Sequence, residues 1–136
     1  MTDTLEQMLA TAVAAHQRGE LPEAVRGYRQ VLEARPQHDR TLYLLGTALL
    51  QSGQFSDAAE TLRQAAGLRG DLSDVHNNLG IALQALGRRD EARQSFRDAL
   101  DREPDSPDAL FNLGRLLWAD GRDAEAEPLL RRAVER

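Results

Sequence analysis

Four glycines recur along this 136-residue chain at one fixed interval, and this periodicity limits the possible folds more than any other feature. The interval of 34 residues separates Gly19, Gly53, Gly87 and Gly121. The same interval separates Ala24, Ala58, Ala92 and Ala126. A period of about 20–50 residues is typical of stacked copies of one supersecondary unit. We therefore predict a single repeat domain over 1–136, with units at approximately 5–38, 39–72, 73–106 and 107–136.

Each repeat contains two segments of helical periodicity joined by a short polar turn. The turn glycines suit the left-handed conformation that ends a helix, and Pro36, Gly70 and Pro104 end the second helices. Pro22 suits a first helical turn, and Ser56 and Asp90 are expected N-caps. Helices are predicted at 3–17, 22–34, 38–51, 56–68, 73–85, 90–102, 107–119 and 124–135. We expect an all-α fold.

One position of the first helix is occupied by a small residue in every repeat. It is occupied by Ala12, Gly46, Gly80 and Gly114. The alanine column of the second helix is also small, so the two columns are predicted to face each other and to let the helices of a hairpin approach closely.

Composition excludes several classes of protein. There is no cysteine, which removes disulfides and thiolate metal sites. Polar residues interrupt every apolar run, so no membrane span is expected. The net charge is −5 and the basic residues, all arginine, are scattered, which argues against nucleic acid as a partner. Residues 1–10 contain no basic residue, unlike a secretion signal, and we predict a cytoplasmic, bacterial protein.

Catalytic and metal-binding patterns are not found. His16, His38 and His76 lie on three different segments, with no pair at the spacing of a helical metal site. His76 occupies a core position of its repeat and is expected to be a packed, hydrogen-bonded histidine. No glycine-rich phosphate loop follows a strand. We predict no enzyme activity, no cofactor and no metal.

The repeat resembles the tetratricopeptide pattern over essentially the whole chain. The resemblance is carried by Leu45-Gly46, Leu79-Gly80, Leu113-Gly114, the four alanines, Tyr28, Phe96, Pro36 and Pro104. It implies a right-handed superhelical solenoid of four antiparallel hairpins, whose first helices line a concave groove. It also implies a scaffold that binds proteins or extended peptides. Thr11-Ala12 in the first repeat departs from the pattern, as terminal repeats do.

The outward face of the first helices supplies the predicted peptide-binding groove. Its proposed contacts are Tyr43, Leu44, Thr47, Asn77, Asn78, Ile81, Phe111, Asn112, Arg115 and Trp118. The aromatic residues are the strongest candidates, because aromatics are enriched where interfaces concentrate energy. The alternative for Leu9, Leu44 and Ile81 is packing between adjacent first helices.

Two polar features of this face suggest ligand contacts. Asn78 and Asn112 resemble the asparagine ladder of O-linked N-acetylglucosamine transferases, which holds extended polypeptide; the alternative is a solvated amide. Arg40 and Arg115 are available for an acidic side chain of a ligand, or else form surface ion pairs. A clamp for a C-terminal carboxylate is excluded, because the chain has no lysine and carries Asp74 and Asp108 on this face.

Two further assignments remain open at this stage. The chain ends at Arg136, about two residues before the proline expected of a fourth repeat, as in a recognition or oligomerisation module of a larger bacterial glycosyl-, sulfo- or methyltransferase. With no capping helix after the last repeat, Leu116 and Val134 are expected to be exposed and to form a homodimer contact. The remaining alternative is a self-assembling structural array, in which the groove is idle and the repeat ends make the contacts.

The fold class has a direct spectroscopic test. All eight segments have helical periodicity, so the far-ultraviolet circular dichroism spectrum is expected to be almost entirely helical. A spectrum with appreciable sheet content would overturn the assignment.

Overall fold

A computed structural model describes residues 2–135 and, within them, the side chains of residues 4–135. This part of the chain contains helices and turns and no strand. The helices are α1 (Thr2–Gln17), α2 (Leu21–Ala34), α3 (Asp39–Gln51), α4 (Phe55–Leu68), α5 (Ser73–Ala85), α6 (Arg89–Arg102), α7 (Pro107–Ala119) and α8 (Asp123–Val134). Every predicted boundary lies within one residue of the observed one. Residues 1 and 136 of the predicted domain lie outside the described residues.

The helices pair in chain order as hairpins. The chain divides into two compact units, which we call the N-terminal half (residues 1–69) and the C-terminal half (residues 70–136). The N-terminal half holds the hairpins α1–α2 and α3–α4, with α2 packed on α3. The C-terminal half holds α5–α6 and α7–α8, with α6 packed on α7. Each half therefore contains two hairpins.

The turn glycines adopt the conformation that the sequence predicts. Gly19 has φ of 79° and the other three have φ of 78°. The Gly19 N–H donates to His16 O at 3.0 Å, and the next N–H, of Glu20, donates to Ala15 O at 2.9 Å. This pair of bonds satisfies carbonyls at the end of α1, and the equivalent pair recurs at the other three turns. A side chain other than glycine is strained at this φ.

The expected N-caps at Ser56 and Asp90 are wrong. Helix α4 begins at Phe55 and α6 at Arg89, so both residues lie inside the first turn. The turn is short: the residue directly after the glycine, Gln54 or Arg88, is the N-cap, and the helix begins at the next residue. Side-chain caps occur instead at His38, whose Nδ1 accepts from the Thr41 N–H, and at Ser106, whose Oγ accepts from the Ala109 N–H.

Glycines inside the first helices make room for a large side chain of the partner helix. A Cβ added to Gly80 would lie 2.5 Å from Cε1 of Phe96, and one added to Gly46 would lie 2.6 Å from Leu62. Gly114 meets Leu130 in the same way. The helices of a hairpin therefore approach closely, as predicted, but the nearest facing group is a large side chain. At Gly114 the alanine column also takes part, because the added Cβ would lie 3.5 Å from the Ala126 carbonyl oxygen. In the first hairpin the glycine is on α2, where Gly27 faces Ala12.

His76 is a core residue, as the sequence predicts. Its side chain is buried, and Nε2 lies 2.9 Å from the carbonyl oxygen of Gly70, to which it donates. This bond ties α5 to the segment that precedes it.

The Gly80 contact gives a matched pair of substitutions. Phe96 is fully buried and its ring cannot retreat, so Gly80→Ala is expected to destabilise by about 1–3 kcal/mol through overpacking. Gly67 lies in α4, where an added Cβ would enter open space, so Gly67→Ala is expected to stabilise by up to about 1 kcal/mol. Urea unfolding measures both. Equal effects of the two substitutions would contradict the packing argument.

Candidate functional site

In the N-terminal half, the first-helix face borders an open cleft of about 790 Å³. Its lining consists of Glu6, Leu9, Ala10, Val13, Ala14, Gln17, His38, Asp39, Arg40 and Arg69. Leu9 is buried, which agrees with packing rather than ligand contact. The predicted contacts Tyr43, Leu44 and Thr47 are half-buried, and the Thr47 hydroxyl donates to Tyr43 O at 2.9 Å. This face therefore offers limited apolar area.

A hydrogen-bonded chain of side chains links three helices of the same half. His16 Nε2 donates to Gln51 Oε1 at 2.7 Å, and in the neutral imidazole Nδ1 accepts from the Tyr28 hydroxyl, also at 2.7 Å. The His16 and Tyr28 rings meet edge to face. Burial raises the pKa of Tyr28, with the charge of Arg40 partly opposing, so the phenol keeps its proton. His16 is thus a structural residue, which its sequence position did not reveal.

In the C-terminal half, an amide pair joins α5 to α7. Asn112 Nδ2 donates to Asn77 Oδ1 at 3.0 Å. Asn77, which the sequence places among the groove contacts, is only 7% exposed. The sequence predicts that Asn78 and Asn112 occupy equivalent positions of a ladder that contacts a peptide. In the structure Asn112 is hydrogen-bonded to Asn77, 35 residues earlier. The donor group of Asn112 therefore holds neighbouring first helices together. Asn78 and Ile81 are half-buried on the same face.

Helix α7 carries an exposed stripe of large side chains. Phe111 is 45% exposed and Trp118 is 59% exposed. Between them the Arg115 guanidinium carbon lies 5.4 Å from the centre of the Phe111 ring. The spacings of four and three residues place all three on one side of the helix. We call Phe111, Arg115 and Trp118 the α7 stripe. It is the most accessible part of the predicted groove in this half.

Most arginines of the chain neutralise a nearby carboxylate. Ion pairs include those of Arg18, Arg26, Arg29, Arg69, Arg88, Arg89, Arg93, Arg97, Arg102, Arg122, Arg131 and Arg132. In the described part of the chain, Arg35, Arg40 and Arg115 have no carboxylate oxygen within 4.0 Å. Two of these three lie on first-helix faces. The surface ion pairs left open for Arg40 and Arg115 are therefore not formed.

The expected exposure of Leu116 is wrong. Its side chain is fully buried, and the guanidinium of Arg89 in α6 donates to the Leu116 carbonyl and to Asp120. Because the Leu116 side chain is fully buried, it cannot contact another molecule. Val134 is 80% exposed, as predicted. The proposed homodimer contact thus loses one of its two apolar residues.

Neither a metal cluster nor a spanning helix is found among residues 2–135. No group of three or more histidine, cysteine, aspartate or glutamate side chains in that part is arranged to hold a metal ion. None of its helices combines the length and the apolarity needed to cross a lipid bilayer.

The hairpins match known repeat families. Residues 15–85 match one tetratricopeptide repeat family model, which covers more than half of the chain. Residues 77–136 match a second model of the same description. This chain belongs to the tetratricopeptide repeat family. The family resemblance predicted from the sequence is thereby confirmed.

Solved structures of MamA share the tetratricopeptide fold of this chain. MamA from Desulfovibrio magneticus RS-1 is 21% identical, with a TM-score of 0.92 over 96% of this chain and 74% of that one. MamA AMB-1 is 26% identical, with a TM-score of 0.85 over 96% of this chain and 72% of that one. No curated protein sequence matches. The all-α solenoid class is confirmed.

The amide pair has a measurable effect on stability. Asn112→Ala removes the donor of buried Asn77 Oδ1 and is expected to cost about 1–3 kcal/mol in the free energy of unfolding. The double variant Asn77→Ala/Asn112→Ala is expected to cost less than the sum of the single variants, because the orphaned oxygen is removed as well.

The control is Gln94→Ala, which removes an exposed amide bond to Asp98 and is expected to change stability by less than about 0.5 kcal/mol. Additive effects of the two asparagine substitutions would show that the pair is not coupled.

Proposed function

We propose that this tetratricopeptide repeat protein is a scaffold that binds protein or extended peptide segments on its first-helix faces. The observation that supports this most is the exposure of Phe111 and Trp118 on α7. Exposed aromatic side chains in one stripe are characteristic of interaction sites, because their burial by a partner releases much apolar area from water.

The faces of the two halves contribute differently to this proposal. In the C-terminal half the α7 stripe supplies the anchors, with Asn78, Ile81 and Asn112 beside it and Asn77 beneath. In the N-terminal half Tyr43, Leu44 and Thr47 supply shallower contacts near the cleft that Arg40 lines. A partner that makes main-chain hydrogen bonds would use the remaining amide capacity of the asparagines.

The transferase-module alternative receives no support from the proteins that this chain resembles. The similar structures named above are all MamA. The homodimer through the last repeat retains Val134 alone, since Leu116 is buried. The cytoplasmic location and bacterial source remain predictions.

Removal of the aromatic anchors tests the proposed function. A display library of random peptides of roughly eight residues, about 26 Å when extended, is panned against the wild-type chain and against Phe111→Ala/Trp118→Ala. The wild type is expected to enrich peptides, and the double variant is expected to enrich few or none, because hot-spot aromatics dominate binding energy.

The matched control is Leu68→Ala/Val134→Ala, which removes two exposed apolar side chains from second helices. It is expected to enrich the same peptides as the wild type. Equal recovery on all three proteins, with helix content unchanged by circular dichroism, would place binding away from the α7 stripe. Recovery on none of them would reject peptide binding.

A further inference from the structure

The charges around the α7 stripe carry information about its ligand. We propose that this surface selects a peptide segment in which an acidic side chain lies next to a large apolar one, with the carboxylate bound by Arg115. The proposal rests on the proposed function above and names the chemistry of its partner.

The first support is the state of Arg115 in an acidic protein. The chain has 22 acidic residues against 17 basic ones, and twelve arginines of the described part form ion pairs within it. Arg115 has none among the described residues, although it is also exposed on a helix surface. Its charge is therefore available to a carboxylate from outside.

The second support is the position of the guanidinium. Contact with the Phe111 ring limits the conformations of Arg115, whose side chain is exposed and which lies between Phe111 and Trp118 in the sequence of α7. A guanidinium held in place loses less freedom when it binds a carboxylate in a two-point geometry. An apolar ligand side chain on Phe111 or Trp118 would also exclude water from that ion pair and strengthen it.

The third support comes from the opposite end of the same face. Asp74 and Asp108 lie in the first turns of α5 and α7, are exposed, and have no basic partner within 4.0 Å in the described part. Their negative charges disfavour a second acidic group there. The face is thus acidic at one end and basic near the other, which favours one direction of the bound segment.

We do not propose the same carboxylate-binding role for Arg40. Its charge acts on the buried Tyr28 hydroxyl, so it has an internal role, and Glu6 and Asp39 line the cleft with it. The matched reference is Arg35, which also has no carboxylate oxygen within 4.0 Å in the described part and lies at the end of α2, outside the first-helix faces.

The experiment is the same peptide-library selection, in which the recovered peptides are now sequenced and their residue composition is compared between proteins. The proteins are wild type, Arg115→Gln, Arg115→Glu and the control Arg35→Gln, each checked for native helix content. The wild-type pool is expected to be enriched about threefold or more in Asp and Glu beside Trp, Phe, Tyr, Leu or Ile. Arg115→Gln is expected to lose the acidic enrichment, Arg115→Glu to replace it with Lys and Arg, and Arg35→Gln to retain it.

A single recovered peptide gives the quantitative test. Replacement of its acidic residue by the neutral amide is expected to weaken binding to the wild type about five- to tenfold and to leave binding to Arg115→Gln unchanged. In pools selected on Asp74→Asn/Asp108→Asn, the depletion of acidic residues at the peptide end opposite the Arg115 site is expected to disappear.

The outcomes separate the two proposals. The inference is overturned if the wild-type pool shows no acidic enrichment, or if the pool selected on Arg115→Glu has the same acidic enrichment as the wild-type pool. The proposal of peptide binding would still stand in either case. Failure of the wild type to enrich any peptide overturns both.

Discussion

The structure depends on the close approach of the two helices in each hairpin. A missing side chain at Gly46, Gly80 or Gly114 lets a large residue of the partner helix reach the backbone of the first helix. This contact determines which side of the first helix is buried inside the hairpin. The opposite side is then left for neighbouring helices or for a ligand. In the last three repeats, one glycine thus sets both the core and the orientation of the candidate binding surface.

The outward side of the first helices serves two competing purposes. Polar pairs 35 residues apart hold first helices together within each half: His16 with Gln51, and Asn77 with Asn112. Such bonds consume groups that would otherwise meet a peptide, because a donor or acceptor engaged inside the protein is costly to remove. Ligand contact is left to side chains that project past these pairs. On α7 those are Phe111, Arg115 and Trp118.

The arginines are also divided between those that form ion pairs within the protein and those that remain available to a ligand. Exposed ion pairs on the second helices and turns stabilise little individually, but they neutralise most of the arginines. Arg115 differs from these arginines: it contacts the Phe111 ring and has no carboxylate oxygen within 4.0 Å in the described part of the chain. If Arg115 binds a carboxylate as proposed, it would contribute specificity as well as affinity, since a basic ligand side chain would be repelled there.

The sequence by itself determined the period, the helix bounds to within one residue, and the family. These follow from local chemistry, because glycine at positive φ and proline after a helix act on their immediate neighbours. It also placed Phe111, Arg115 and Trp118 on one helical face. Tertiary structure alone decided that Asn77 and Leu116 are buried and that Arg115 has no ion pair. Those outcomes depend on how closely a neighbouring helix packs and which side chains it presents, and helical periodicity does not encode that distance.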